Sequence, residues 1–322
     1  MNYVYQSHFK QYVEGLLEQK RALGFPYRGS EDYLRRFDLM CLKEFPCETA
    51  LTKEIGQRWG TIRDTERRVS FQDRMAPIRE LAKYMLRLGI DAYIVEPMAI
   101  PPAVKRQIPH IFTDSELSAF FTAADNLEYN ERGKMRHLIV PVIFWLMYCC
   151  GLRPHEARLI KKKYIDFASN TLKIPESKGH KDRMVIMPDE VSLLMEKYLS
   201  VIHERFYENE YLFPNWRVKS FLSSNWLNDM FWLCWDASGI KNFSGNSPCS
   251  YSFRHTFATK CLYLWMKEGK NLDAHLPYLS AYMGHEHFSH TAYYIHLVLE
   301  FFPQMAQMDL SRYEELIPEV CV

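Results

Sequence analysis

This chain of 322 residues has no excess of charge of either sign: 40 lysines and arginines face 39 aspartates and glutamates, for a net charge of +1. A basic total therefore cannot be the basis of any anion binding, which would have to rest on local clusters. Eight cysteines occur, none of them in a Cys-x-x-Cys pair, so a dithiol redox motif and a thiolate metal knuckle are both missing. Reduced, buried thiols are expected. The N-terminus, Met1-Asn-Tyr-Val-Tyr-Gln-Ser-His8, has no basic region followed by an apolar stretch, so no signal peptide is expected. Long apolar runs are absent too. The longest, Leu138 to Leu152, is interrupted by Pro141 and falls short of the roughly 20 residues a membrane span needs, so it reads as a buried helix. No internal repeat or low-complexity tract is visible, and an apolar fraction of 48% supplies material for packed cores instead of disorder. A cytosolic protein is expected, and the length favours two domains.

Distribution says more than totals. Residues 1–107 carry a net charge of +4 and the remainder −3. The stretch from about Tyr5 to Ile94 reads as several helices. Phe9, Tyr12, Val13, Leu16 and Leu17 recur at helical spacing up to a stop at Gly24-Phe25-Pro26. Ser30 is expected to cap a second helix with Tyr33, Leu34, Phe37 and Cys41 inward. A third helix follows Thr52, with Ile55 and Trp59 inward. A fourth begins near Ser70 and directs Met75, Ile78, Leu81, Ala82, Met85 and Leu86 to the core. Between Glu96 and Pro109 lie four prolines and little helical pattern, which marks a linker. Thr113-Asp-Ser-Glu116 then forms a capping box ahead of an apolar helix. The expected boundaries are a helical domain over 1–105, a linker over about 96–110, and a second domain over 110–322 with a tail over about 300–322. In the second domain Tyr164–Phe167, Thr171–Pro175 and Arg183–Met187 read as short strands of a small antiparallel sheet among helices.

Four clusters there carry potential chemistry. They are Gly151-Leu-Arg-Pro-His-Glu156, Glu176-Ser-Lys-Gly-His-Lys-Asp-Arg183, Tyr251-Ser-Phe-Arg-His-Thr-Phe-Ala-Thr259, and Met283-Gly-His285 followed nine residues on by Tyr294. Singly, each has an ordinary structural explanation. Arg153 would pair with Glu156, Lys178 would be an exposed turn lysine, Arg254 an ion-pair partner, His285 a helix-end residue and Tyr294 a core aromatic.

As an ordered set, the clusters resemble the tyrosine recombinases, the phage integrase and Xer-type enzymes, over roughly residues 110 to 300. The resemblance rests on a Gly-Leu-Arg-x-x-Glu motif, a hairpin lysine followed by Lys-x-Arg, an Arg-His-Thr-Phe-Ala-Thr box, and Gly-His followed by a tyrosine in Tyr-x-His. It implies a mainly α fold: a helical core-binding domain that clamps DNA, and a mixed α+β catalytic domain with a small antiparallel sheet. No further arm-binding domain is expected. It implies a site-specific recombinase that cleaves and rejoins DNA through a 3′-phosphotyrosine at Tyr294, with Arg153 and Arg254 holding the phosphate and His285 as a further donor. Lys178 would protonate the leaving 5′-oxygen, and Glu156 would orient Arg153 or a neighbouring helix. No cofactor is implied, since forked guanidinium donors supply the charge that a metal supplies elsewhere. Arg63, Arg67, Arg68, Arg74, Arg79 and Lys83 become candidates for phosphate contact.

The implied partners are double-stranded DNA at a specific site and further copies of the chain, a dimer per site and a tetramer on synapsed DNA. The place of action is the nucleoid. Phe301, Phe302, Met305, Met308, Tyr313 and Leu316 give the tail apolar surface for a neighbouring protomer or for its own domain. One departure is plain: the family's usual histidine three residues before the second arginine is here Tyr251. A phenol still donates a hydrogen bond, but with a pKa near ~10 it cannot shuttle protons at neutral pH. Two alternatives stay open, a type IB-like strand-passing enzyme and a sequence-specific DNA-binding protein with a weakened active site.

Overall fold

Helix α1 (Lys10–Ala22) presents Val13, Leu16 and Leu17 to the interior and ends where Gly24 takes a left-handed φ of 82°. The computed structural model describes residues 3–25, 27–64, 66, 68–96, 108–177, 181–205, 208–215, 217, 220–241 and 247–302. The chain divides into two compact units, Met1–Pro102 and Ala103–Val322. In the first, α2 (Arg28–Glu44), α3 (Lys53–Trp59) and α4 (Arg68–Arg87) join α1. Thr52 caps α3 by accepting from the Ile55 amide. Phe9, Leu34, Phe37, Ile55, Met75, Ile78 and Leu81 are essentially inaccessible to water, as the helical spacing requires.

Two expectations need correction. Helix α2 starts at Arg28, behind Tyr27 in the left-handed region (φ 54°), so Ser30 lies inside the first turn and does not cap it. Leu86 is 43% exposed: the buried stripe runs through Met75, Ile78, Ala82 and Met85, and the next position falls past its edge. A buried carboxylate was not anticipated. Asp38 of α2 accepts hydrogen bonds from the Ser7 amide (3.0 Å), the Ser7 hydroxyl (2.5 Å) and the Tyr3 hydroxyl (2.8 Å), which tethers the N-terminal segment to the bundle.

The second unit is also mostly helical. The capping box at Thr113 opens α5 (Asp114–Asp125), which leads to α6 (Arg136–Cys149), the buried helix expected from its apolar run. Next come α7 (Pro154–Arg158) and a three-stranded antiparallel sheet of β1 (Ile165–Asp166), β2 (Thr171–Ser177) and β3 (Lys181–Ile186) in the order β1-β2-β3. Leu172 and Ile174 face Val185 and Arg183 across the central pair. After α8 (Asp189–Arg205), a short pair that the sequence did not signal, β4 (Pro214–Asn215) with β5 (Ser220–Phe221), precedes α9 (Ser224–Ala237). Helices α10 (Ser252–Lys267), α11 (Leu272–Met283) and α12 (Ser289–Phe301) complete the unit.

Phe253 of α10 packs among Phe112, Phe120, Phe144 and Phe231 with ring centroids 4.7 to 6.0 Å apart. Burying one such ring contributes about 1.5–3 kcal/mol. This anchors the start of α10, the segment that carries Arg254 and His255. Its far end packs with α11 and α12 through Leu262, Leu276, Leu279 and Val298. Among the described residues no helix is long and apolar enough to cross a membrane.

Candidate active site

Two glycines shape the backbone around the site. Gly151 follows α6 at φ +61°, and a Cβ there would lie 2.5 Å from the Phe257 ring, so both conformation and space require glycine. Gly284 ends α11 in the same left-handed conformation (φ 62°). The carbonyls at these two helix ends are left without intrahelical partners and carry the negative pole of each helix dipole. Arginines occupy them. Arg254 donates to the Gly151 carbonyl (2.7 Å) and to that of Met283, while Arg153 donates to that of Gly284 (2.8 Å). The first, third and fourth sequence clusters thus meet at the ends of α6 and α11.

Arg153 precedes α7, and Glu156 ties it there: its carboxylate accepts the Arg153 amide (2.8 Å) and guanidinium (2.7 Å). The same carboxylate takes two bonds from Arg183 of β3, at 2.8 and 2.7 Å. Arg183 in turn donates through Nε to the Tyr282 carbonyl of α11 (2.8 Å), so one buried acid joins α7, the sheet and α11. Burial by itself would raise the Glu156 pKa. The hydrogen bonds and charges of Arg183 and Arg153 outweigh it and hold the group at about 2.

Arg254 is fully buried, and among the described residues it has no carboxylate within ion-pair distance and no hydrogen-bond partner for its Nε. Burial, with the nearby Arg153 charge, lowers its pKa to about 10, which leaves it charged at neutral pH. One of its nitrogens lies 3.3 Å from His285 Nε2, and His285 Nδ1 lies 2.7 Å from the Thr291 hydroxyl of α12. Burial and the Arg254 and Arg153 charges push His285 down to about 3, so the ring is neutral. Tyr294 of α12 stacks on it (centroids 6.0 Å apart, planes 11° apart) and is 3% exposed. Its hydroxyl lies 3.1 Å from His255 Nδ1. Burial raises the Tyr294 pKa well above its ordinary value, against the lowering pull of Arg254.

The structure brings Arg153, Glu156, Arg254, His285 and Tyr294 together. Tyr251, expected to share a face with Arg254, stands just before α10. It is half-buried, packs its ring on His255 (4.9 Å), and is near enough for its hydroxyl to act on the charge of Arg254 and Tyr294. Lys178 lies in the β2–β3 connection, outside the described residues. Three participants were not singled out in the sequence: Arg183, His255 and Thr291. The first two stood inside motifs already quoted, Lys-x-Arg and Arg-His-Thr-Phe, whereas nothing marked Thr291.

The basic candidates of the first unit divide. Arg63 and Lys83 are exposed, the latter paired with Glu80 at 3.1 Å. Arg79 donates to the Val95 carbonyl and is half-buried. Arg74 is not available for phosphate. It is 3% exposed, fork-bonded to Glu66 at 2.7 Å twice, and bonded to the carbonyls of Trp59 and Thr61 (3.1 Å for the latter). The period of α4 turns it inward, and Glu66 neutralises it there. Arg67 and the Arg68 side chain lie outside the described residues.

The fold and the grouped arginines, histidine and tyrosine are those of a DNA strand-breaking and rejoining enzyme. The profile of the phage integrase family matches residues 111–300, and the chain belongs to that family, as a tyrosine recombinase. It is similar to the putative integrase/recombinase y4rB of Sinorhizobium fredii, with 26% identity over 90% of this chain and 93% of that protein. With tyrosine recombinase XerC of Staphylococcus saprophyticus it shares 27% identity, over 73% of each. Among solved structures, XerH bound to palindromic difH substrate in a post-cleavage complex superposes with a TM-score of 0.58 at 18% identity, over 86% of this chain and 77% of that one. A lambda integrase dimer bound to a COC' core site also gives 0.58, at 16% identity over 88% and 94%. The mainly helical fold with a small antiparallel sheet, expected from the sequence, agrees with these likenesses.

Proposed function

We propose that Tyr294 is the nucleophile of a site-specific recombination reaction in which Arg153, Arg254 and His285 hold the scissile phosphate. The observation that carries this reading is Arg254. A buried guanidinium that among the described residues has no paired carboxylate and an Nε without a hydrogen bond is an incomplete ion pair, and buried charges are ordinarily paired. A phosphodiester completes it, next to a tyrosine hydroxyl. An anion among these groups would also raise the His285 pKa, changing the ring from an acceptor facing Arg254 into a donor to the phosphate. Tyr294 and Arg254 are both covered in the free chain, so docking of DNA has to shift the side chains over them. Attack of Oη on phosphorus leaves a 3′-phosphotyrosine and a 5′-hydroxyl, whose oxygen takes its proton from Lys178. The bond energy stays in the phosphotyrosine, so rejoining needs no nucleotide. Glu156 positions Arg153 and Arg183.

The first unit is read as the DNA clamp, with Arg63 and Lys83 the exposed ones among its candidate phosphate contacts. XerH is captured on its difH substrate and lambda integrase as a dimer on a core site, which supports duplex DNA as the partner. By extension this chain acts as a dimer on each site, as a tetramer when two sites synapse, and at the nucleoid. The test is covalent trapping on a nicked duplex whose broken strand carries away the 5′-hydroxyl. Wild type accumulates an adduct that peptide mapping assigns to Tyr294, and Tyr294→Phe forms none while keeping its DNA affinity. An adduct formed by the Phe variant would overturn the assignment.

A further inference from the structure

Tyr294 has to lose a proton as it attacks, and burial makes that loss harder than for an ordinary phenol. The position where the family resemblance leads one to expect a histidine holds Tyr251, whose ring packs without a hydrogen bond to Tyr294. A phenol is in any case no proton acceptor at neutral pH. The group that does meet the Tyr294 hydroxyl is His255, one residue past Arg254. Its Nδ1 lies 3.1 Å from the oxygen, within the reach needed for direct proton transfer. Its ring stands 5.7 Å from that of Tyr294 and 4.9 Å from that of Tyr251, so it is clasped between the two phenols. The aromatic packing of Phe253 and the carbonyls that grip Arg254 fix the first turn of α10, and His255 cannot drift from α12 without disturbing both.

We propose that His255 is the catalytic proton acceptor for Tyr294, taking over at this position a task that residue 251 cannot perform. The inference rests on the reading of Tyr294 as nucleophile. In the cleavage step the Oη–H bond breaks and an Nδ1–H bond forms, while Oη bonds to phosphorus and the bond from phosphorus to the 5′-oxygen breaks. The departing oxygen takes a proton from the donor assigned to Lys178. In rejoining, the 5′-hydroxyl gives its proton back to that donor as its oxygen bonds to phosphorus, the bond from phosphorus to Oη breaks, and imidazolium returns its proton to Oη. The groups facing His255 are Tyr251 and Arg254 from its own segment and Tyr294 from α12, with His285 stacked beyond Tyr294. Burial and the Arg254 charge hold the free ring neutral, at about 4, and with the ring proton on Nε2 the Nδ1 lone pair is available to the Tyr294 proton at pH 7. The negative phosphate offsets that arginine charge as it docks, which makes the ring a better base when it is needed.

Single-turnover cleavage by His255→Asn tests the proposal on two nicked duplexes, one with an ordinary scissile phosphate and one with a 5′-bridging sulfur. Asparagine can accept the same hydrogen bond but cannot take the proton. Cleavage is expected to fall about a hundredfold or more on both duplexes, with DNA affinity and melting temperature unchanged. The sulfur leaves without protonation, so it rescues Lys178→Ala and does not rescue His255→Asn. Exogenous imidazole should restore part of the rate to His255→Ala, and this carries the same test should asparagine perturb folding. A wild-type or faster rate for His255→Asn would show that the histidine only positions or restrains Tyr294 and would overturn the proposal. So would rescue by sulfur, or an imidazole-insensitive alanine variant. If the adduct maps to another tyrosine, the site reading itself fails, which Tyr294→Phe reveals independently of any result at His255.

Discussion

Arg74 and Arg254 each lie in the interior of one unit, and they are held in opposite ways. Arg74 meets a carboxylate in a two-bond fork, takes two carbonyls besides, and lies over the faces of Trp59 and Phe71. Burial costs it little, because every interaction a guanidinium seeks is supplied within the unit. Among the described residues, Arg254 bonds to the carbonyl ends of α6 and α11 and has a neutral histidine beside it and an idle Nε. A helix end offers a fraction of a charge where a carboxylate offers a whole one. The first arginine is complete without a ligand, and the second leaves room in its electrostatics for an anion. Burial alone does not separate structural from functional arginines; the charge of the partner does.

The sharpest way to break this contrast is to remove each guanidinium while keeping its bulk. Arg254→Met should lower single-turnover cleavage by roughly 100- to 1000-fold, as loss of a transition-state donor does. Its stability should move by less than about 2 kcal/mol, because relief of an unpaired buried charge offsets two carbonyls left without donors. Arg74→Met should do the reverse. It leaves the half-buried Glu66 without its guanidinium fork, holding among the described residues only the Arg63 amide, and should destabilise the first unit by about 3 kcal/mol in denaturant titration. Cleavage at saturating DNA, below the lowered melting point, should stay near wild type. Similar losses of cleavage in both variants would erase the distinction.

Glu156 sharpens the comparison from the acidic side. Its folded pKa of about 2 lies below the ordinary 4.5, so its contribution to stability is complete above pH 4.5 and is lost as pH falls towards 2. That difference corresponds to roughly 3 kcal/mol. Urea titrations between pH 5 and about 2.5 should show the loss in wild type and a flatter dependence in Glu156→Gln, which starts less stable at neutral pH. An unchanged pH dependence in the Gln variant would assign the acid sensitivity to other carboxylates.

The smallest effect is expected at Tyr251. Its hydroxyl makes no hydrogen bond among the described residues, so Tyr251→Phe should leave the melting temperature unaltered. If that hydroxyl reaches the docked phosphate, cleavage falls about tenfold, the value of one neutral hydrogen bond to a charged group, and this is the result expected. A rate equal to wild type would confine Tyr251 to packing on His255.

Much of this was legible in one dimension. Helical spacing located α1 to α4 and their inward residues, because a period of 3.6 is a local property. It erred at Leu86 and Ser30, where neighbouring segments decide how far a stripe extends and where a helix begins. The sheet was recognisable from its turn residues, but β4 and β5 are too short to show a period. Cluster order exposed Arg153, Glu156, Arg254, His285 and Tyr294, since each motif keeps its own spacing. Thr291 was invisible because a lone threonine in a helix carries no local signal.

By itself the sequence determined the residue types, their order, and the glycines at 151 and 284, where the left-handed backbone favours glycine. Which partner each charged group meets was left to tertiary structure. Arg74 and Arg254 are the same side chain, each borne on a helix and each turned inward. Only the folding of Glu66 against one, and of two helix ends against the other, made the first a strut and the second a socket for an anion. Likewise His255 met Tyr294 only once α10 and α12 had packed, because a contact across 39 residues depends on the angle between two helices, and no local spacing encodes that angle.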